Sequence, residues 1–460
     1  MSVNYEYTGG AYDEEALLAL LDNRQYSSFM QTVEELNPID VAEFFGRLPE
    51  ERQAAVFRLL KKDTAAEVFA ELESDVQERL IHAMSDREIG VIVDDLFSDD
   101  AVTLLGEMPA SVVKRIMKNA RPETRAEINR LLSYPEDSAG SVMTGEFLEL
   151  RKSMTVTQAI ETIRKTGLDK ETVYVAYVTD AQRHLEGVVS LKDLLFAASD
   201  DIIENIKETN ITSATTHDDQ ETVAAAISKY DLLVMPVVDM EGRLVGIVTV
   251  DDAMDVMEEE ATEDIEKMAA ILPTDKPYLK TSVPETVKAR VPWLLILMLS
   301  ATVTGAIITH YEAALGTWVV LTAFMPMIMG TGGNAGGQSS MTIIRSLSLG
   351  EVVPGDVLRV LWKELRVSLL CGIVMGLATF VKVFLIDLHA DSANLIVAAV
   401  VSLTLVVTVV LAKLVGALLP IAVKKVGLDP AVMASPFVTT IVDALSLLLY
   451  FKIASLLLGI

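Results

Sequence analysis

The feature that most constrains this chain is a long apolar segment, Ala431 to Ile460, interrupted near its middle by a single carboxylate, Asp443. A segment of that length crosses a bilayer as a helix, which takes about 20 mainly apolar residues. A charge at that depth costs roughly 2.5–3.5 kcal/mol even on the mildest insertion scale, so it needs a partner or a watery cavity. Hydrogen bonding to a neighbouring helix, or protonation, is the plainer reading. Intramembrane carboxylates more often line ion paths, and Asp443 is expected to line a cation pathway.

Charge then divides the chain. From Lys276 onward there are nine carboxylates against 13 Lys and Arg, whereas the part before it holds 56 acids against 25 bases. An apolar, slightly basic half therefore follows a half carrying about −31. Such an acidic surface repels phosphate backbones, which argues against a nucleic-acid partner, and it attracts cations. Cys371 is the sole cysteine, so no disulfide framework is expected. Met1 to Gly10 lacks a basic region followed by an apolar run, so no signal peptide is expected and the acidic half should stay in the cytosol.

From Leu17 to Ser133 the pattern is helical, with breaks about every dozen residues: Asn37-Pro38, Leu48-Pro49, Lys62-Asp63, Ser74-Asp75, Ser85-Asp86, Ser98-Asp99, Met108-Pro109 and Arg121-Pro122. Each break offers a cap residue or a proline before apolar positions at helical spacing. Repeats of this kind stack into a superhelix, each unit burying its apolar face on the next. Asp94, Asp95, Asp99 and Asp100 lie close together with no basic residue among them. By themselves they read as a solvated face or as caps sooner than as a metal site.

Between Gly140 and Met257 the sequence repeats at an offset of 59: Gly187-Val188-Val189-Ser190-Leu191-Lys192-Asp193 matches Gly246-Ile247-Val248-Thr249-Val250-Asp251-Asp252. Before each lies a short strand, 173–178 or 233–238, and a helix opening at Thr157 or Glu221. Two such units resemble a pair of cystathionine-β-synthase (CBS) domains, with a glycine turn, a Ser/Thr and a closing Asp at a helix start. CBS pairs are sensors, several of which bind adenine nucleotides. That resemblance makes Thr249 and Asp252 candidates for phosphate and ribose, with ATP as the candidate ligand. Simple capping of the helix is the alternative.

Beyond the second module, Asp251 to Asp264 is acid-rich. Asp252, Asp255 and Glu259, or Asp251, Asp255 and Glu258, share one helix face. Like charges so spaced destabilise a helix unless cations sit between them, and hard divalent cations take oxygen ligands. Pro273, Pro277 and Pro284 are expected to break the connector into short helices.

Five apolar runs follow, at about 292–309, 316–344, 360–388, 393–423 and 431–460. Arg345, Arg359, Lys363 and Arg366 fall between the second and third, and Lys424 and Lys425 between the fourth and fifth. Cationic loops lie inside, so the N-terminus is expected in the cytosol and the C-terminus outside. Five spans are few for a pore, and a homodimer is expected. The second run holds Pro326 and, from Gly330 to Gly337, five glycines with Asn334, followed by Gln338. Broken backbone lining a cavity is the expectation, and tight helix packing the alternative.

Acidic array, CBS pair, acid-rich connector and five spans, in that order, resemble the MgtE family of magnesium channels over essentially the whole chain. Gly330-Thr331-Gly332-Gly333-Asn334 and Asp443 strengthen the resemblance. It implies a multidomain membrane protein: an all-α superhelical N domain (1–136), an α/β tandem CBS pair (137–200 and 201–258), a connecting plug helix (259–284) and a five-helix transmembrane domain (285–460). It further implies a non-enzymatic homodimer in the cytoplasmic membrane that passes Mg2+ inward and is closed by cytosolic Mg2+. Mn2+ and Co2+ are further candidate ions. Asp443 would form a paired pore site, beside Gly330, Gly333, Asn334 and Ser435. Ser435-Pro436 stands where relatives can carry Asn-Pro, so one pore amide is expected to be missing. The sensing carboxylates implied are Asp219, Glu221, Asp231, Asp252, Asp255, Glu260, Glu263 and Asp264, faced by Asp94, Asp95 or Asp99 from the array, with Asp429 facing the connector.

The physics gives the same direction. An acidic domain repels itself without divalent cations, and bound Mg2+ favours its compact, closed state. Mg2+ gives up water reluctantly, so recognition at Asp443 is expected largely through its hydration shell. Two other readings stand beside this one: a proton- or sodium-coupled divalent cation carrier, and a membrane-anchored CBS nucleotide sensor without transport.

Overall fold

A computed structural model describes residues 13–274, 278–279, 281–312, 316, 318–387, 395–433 and 435–459. Two compact units divide the chain after Met257.

Among the described residues the first unit begins with ten helices: α1 (Glu14–Asp22), α2 (Tyr26–Val33), α3 (Pro38–Arg47), α4 (Glu50–Phe57), α5 (Lys62–Ala70), α6 (Ser74–Ala83), α7 (Asp86–Val93), α8 (Ser98–Glu107), α9 (Ala110–Asn119) and α10 (Pro122–Leu131). Their first residues are each twelve apart. The core keeps the same period, because Leu21, Val33, Phe45, Phe57, Phe69, Ile81, Val93 and Leu105 form one buried column. Burying each such side chain contributes about 1.5–3 kcal/mol. Adjacent rings in the column meet edge-on, Phe45 on Phe57 at 5.8 Å and Phe57 on Phe69 at 6.0 Å. Packing skips a helix, with α3 on α5, α5 on α7 and α7 on α9, so the structural unit is a helix pair. Gln53 and Gln77, 24 residues apart and buried, each donate to a carbonyl eight residues back, on Phe45 and Phe69.

Next come two similar modules. β1 (Leu148–Arg151), α11 (Val156–Thr166), β2 (Val175–Thr179) and β3 (Leu185–Ser190) form the first, closed by α12 (Leu191–Phe196) and the short α13 (Ile203–Ile206). β4 (Ala214–Thr215), α14 (Gln220–Lys229), β5 (Val234–Val238) and β6 (Leu244–Thr249) form the second, closed by α15 (Val250–Met268). Each sheet has a parallel first pair and an antiparallel second pair. The offset of 59 extends even to a bulge, at Val178/Thr179 and at Val237/Val238. Two details depart from the sequence reading. Gly187 and Gly246 lie within strands rather than turns, and a Cβ on Gly246 would strike Met143 Sδ at 2.5 Å. Ala139 and Met143, placed by sequence with the first module, pack into the core of the second.

α15 runs unbroken for 19 residues and ends at Met268, before Pro273, and among the described residues no short helix follows it before Val283. Its first residues belong to the first unit and the remainder to the second. Pro284 sits in the first turn of the next helix, where a missing N–H costs nothing. Pro277 lies outside the described residues.

In the second unit, α16 (Val283–His310), α18 (Val357–Lys382), α19 (Leu395–Val426) and α20 (Ser435–Leu458) are long and apolar enough to cross a membrane. α17 (Met325–Ser348) has 24 residues, about 36 Å at 1.5 Å per residue, but a more polar middle. It packs on α19 and α20.

The expected break in this segment is absent. α17 is one continuous helix, and its glycines serve close approach. A Cβ at Gly332 would lie 2.9 Å from Val442 and from Ser446, one at Gly333 2.8 Å from Thr439, and one at Gly336 2.8 Å from Val438. On the other side, a Cβ at Gly416 would lie 2.2 Å from the Gly336 carbonyl oxygen. Each glycine costs a helix about 0.8–1.0 kcal/mol relative to alanine. Packing that no larger residue permits offsets that cost.

G416A should therefore lower the thermal midpoint of the detergent-solubilised protein, by overpacking worth about 1–3 kcal/mol. G330A, where nothing lies within 4 Å, should leave the midpoint unchanged or raise it. Equal midpoints for the two variants would contradict this packing.

Candidate functional site

Local rules alone explain why α8 and α15 begin with acids. Asp99 and Asp100 lie in the first turn of α8, Asp251 and Asp252 in that of α15, where carboxylates complement the helix dipole. Asp252 completes a cap with Thr249, whose hydroxyl donates to its carboxylate. Ser190 and Asp193 repeat this at 2.5 Å.

The fold brings these two helix starts together. Asp99 and Asp100 both feel the charge of Asp252, and Asp100 also feels Asp251, Glu71 and Glu146. Glu171, from the loop before β2, adds another carboxylate beside Asp252 and Asp100, and its Oε2 is buried without a hydrogen-bond partner among the described residues. The charges named here are all acidic, and they raise one another's pKa. Burial and then Asp252 push Asp100 up to about 6. Burial, Asp252 and Asp100 push Glu171 up to about 8. Asp99 rises well above the usual carboxylate range, first through burial. Asp252 rises for the same first cause, and Glu71 rises through burial and the nearby Asp255 and Asp251.

Glu146 is otherwise satisfied, accepting from Ser98 Oγ at 2.7 Å and Thr144 Oγ1 at 2.6 Å. Among the described residues no three such groups converge closely enough to hold a metal ion directly. The cluster has the charge and the oxygen chemistry that a divalent cation takes.

Of the three array acids left open by sequence, Asp99 is the one in the cluster. Asp94 and Asp95 do have basic partners, contrary to the sequence expectation. Asp94 pairs with Arg121 at 3.1 Å and Asp95 with Lys62 at 2.7 Å. Asp255 reaches the cluster electrostatically. Asp219 and Glu221 lie at the start of α14 and Asp231 just past its end, about 15 Å apart by helix length, too far to share one ion within a single chain. Asp219 caps that helix by accepting from Thr222 N at 3.3 Å, and Asp231 takes left-handed backbone, φ 51°, to close it. Glu71, Glu146 and Glu171 carry no mark in the sequence because they meet the others only in three dimensions, whereas Asp100, read there as a cap or a solvated face, belongs to the cluster.

The same surroundings count against a nucleotide at Thr249 and Asp252, since its phosphates would meet this group of carboxylates. The equivalent Ser190–Asp193 turn is more open and carries the exposed Lys192.

In the second unit, Glu263 and Asp429 are joined by Lys267, at 2.6 Å and 2.8 Å. An ammonium thus stands between two acids that sequence assigned to a divalent cation. Burial works to lower the pKa of Lys267, but hydrogen bonds to Asp429 and Glu263 outweigh it and hold it raised. Met268 packs beside Ile344 and Ala431, and Leu272 N donates to Ala289 O at 3.0 Å. Glu260 and Asp264 follow Asp255 along α15.

Asp443 lies on α20, half-buried, at the level where Val442 and Ser446 flank Gly332. Its Oδ1 is buried and has no hydrogen-bond partner among the described residues. Gly330, Asn334 and Gln338 form an exposed stripe along α17 at i, i+4 spacing, whereas Gly333 faces inward onto Thr439. Ser435 opens α20, and its side chain lies outside the described residues.

Comparison with known proteins agrees with this layout. Residues 325–453 match the family described as MgtE, divalent cation transporter, 36–137 the MgtE intracellular N domain, and 139–200 and 203–259 the CBS domain. A relative named magnesium transporter MgtE from Thermus thermophilus is 38% identical over 433 residues, 93% of this chain and 94% of its own. One of the same name from Bacillus subtilis is 32% identical over 450 residues, 96% of this chain and 97% of its own. The crystal structure of the soluble part of a magnesium transporter is 32% identical, with a TM-score of 0.52, and covers 54% of this chain and 98% of its own. The cytosolic domain of the Mg2+ channel MgtE in complex with ATP is 35% identical, with a TM-score of 0.50, covering 53% of this chain and 100% of its own.

Acids whose pKa is raised by folding contribute stability below their unfolded values, about 4, that is lost as pH rises through the folded ones. In EDTA, the thermal transition of the first unit should therefore fall steadily between about pH 4 and the Glu171 value of about 8. Millimolar Mg2+ should reverse the loss at pH 8 and do little at pH 5. A transition that rises with pH in EDTA would contradict the cluster.

Proposed function

The chain belongs to the MgtE family of divalent cation transporters, and on that premise we propose that it is a Mg2+-selective channel. It carries Mg2+ into the cell across the cytoplasmic membrane and is closed when cytosolic Mg2+ binds its acidic first unit. The observation that carries this reading is Asp443, a membrane-level carboxylate with a buried oxygen that no described residue satisfies. A carboxylate left so at membrane depth is a cation site by default.

Two copies of the chain set their Asp443 side chains across a shared axis, with the Gly330–Asn334–Gln338 stripe of α17 beside them. The paired carboxylates attract a divalent ion that keeps most of its water, since Mg2+ dehydrates reluctantly. α17 completes five spans, with the N-terminus in the cytosol and the C-terminus outside. Arg345, Lys424 and Lys425 then fall on the cytosolic side.

Gating follows from the acids. With Mg2+ bound among Asp99, Asp100, Glu171 and Asp252, repulsion between the starts of α8 and α15 is screened. α15 is thereby held, and it reaches the second unit, where Lys267 ties it to Asp429 at the foot of α20. Loss of Mg2+ restores the repulsion and frees the helix. Switching from 1:99 to 99:1 needs about 5.5 kcal/mol of differential binding, within reach of several weak sites acting together. A nucleotide, such as the ATP of the related cytosolic domain, is assigned to the Ser190–Asp193 turn.

Mg2+ uptake into liposomes tests the pore. D443N should reduce uptake to that of protein-free vesicles while preserving or raising thermal stability, because it removes an unsatisfied carboxylate. Uptake that survives D443N sinks the assignment. K267M should raise, several-fold, the internal Mg2+ needed to stop uptake; an unchanged threshold would remove Lys267 from the closing mechanism.

A further inference from the structure

The apolar helix α19 contains one lysine in mid-course, Lys413, which is 7% exposed. A cation there must be compensated inside the protein. Lys413 Nζ donates to Ser339 Oγ on α17 at 3.5 Å, and Ser339 Oγ donates to Glu364 Oε2 on α18 at 2.6 Å. Ser339 is itself 3% exposed and Glu364 half-buried. A serine has one proton to give and lone pairs to receive, so it links a cation to a carboxylate in one direction only. The result is a charged chain through three helices: ammonium, hydroxyl, carboxylate.

Its location gives it a task. Helices resist sliding because side chains on one fit between those of the next. α17 turns Gly332, Gly333 and Gly336 to its neighbours, and Gly336 meets another glycine, Gly416. A glycine face packs closely but has no teeth. A slip of one turn moves every residue about 5.4 Å along the axis. The exposed stripe Gly330–Asn334–Gln338 rides on this helix, so its height against Asp443 depends on whatever fixes α17. Ser339 is three residues from Gly336 and Lys413 three from Gly416, so the charged chain lies within one turn of the smoothest contact.

We propose that Lys413, Ser339 and Glu364 form an intramembrane register lock that holds the α17 stripe level with Asp443. Lys413 and Glu364 are positioning residues that act through α17. The inference rests on the reading of that stripe and Asp443 as the ion path.

A double-mutant cycle on the full-length protein tests it. K413M strands the half-buried Glu364 carboxylate and E364Q the buried Lys413 ammonium, and each should lower the thermal midpoint in detergent by roughly 5–15 °C. Each should also raise, several-fold, the Mg2+ concentration that half-saturates uptake per folded molecule, a readout that mere loss of folded protein does not move. The charge-free K413M/E364Q should recover most of both losses, and K413R should keep both near wild type. If a single variant fails to accumulate while the double variant does, the same coupling is read in yield. Single variants indistinguishable from wild type, or a double variant no better than the worse single, overturn the lock. The midpoint cycle needs no transport, so a wild type that carries no Mg2+ defeats the path reading separately.

Discussion

Two helices that each begin with acids cannot be set end to end without a counter-charge. That is the situation at the starts of α8 and α15, where Asp99, Asp100, Asp251 and Asp252 are joined by Glu171, Glu146 and Glu71. Asp99, Asp100, Asp251 and Asp252 are well placed by their own helices and badly placed by the assembly. The pKa values register that conflict, with Glu171 pushed up to about 8 by burial and its neighbours. Protons relieve such a cluster, and on the proposed reading divalent cations do so too, without a preformed metal cage.

The membrane unit handles its charges in two contrasting ways. Lys413 and Glu364 are joined through Ser339, and Lys267 is shared by Glu263 and Asp429, so both cations answer carboxylates inside the fold. Asp443 has a buried oxygen that no described residue answers. On the proposed reading, that oxygen is where a cation from outside binds. The contact of Lys267 with Asp429 also means that the end of α15 meets the foot of the helix carrying Asp443 through an internal ammonium.

Much of this was legible in the sequence, for identifiable reasons. The twelve-residue helical period shows as prolines and cap residues because each helix must start afresh. The 59-residue duplication shows because each module carries its own cap, Ser190–Asp193 or Thr249–Asp252. Asp443 stands out because an apolar segment tolerates so little. What stayed hidden depended on contacts remote in sequence. Glu71 and Glu171 have nothing local to mark them. The basic partners of Asp94 and Asp95 come from other helices, Arg121 and Lys62. The glycines of α17 were misread as broken backbone because composition does not reveal that Val438, Val442 and Thr439 press against them. Lys413 passed unremarked because its answering carboxylate lies on a different helix, through a serine.

Single-channel recording from the purified protein in liposomes, with Mg2+ stepped on the cytosolic face, tests the central claim most directly. A cation-closed channel gives unitary openings that vanish as cytosolic Mg2+ rises through the millimolar range and return when it is withdrawn. Openings indifferent to cytosolic Mg2+, or Mg2+ uptake with no unitary current at all, would contradict it.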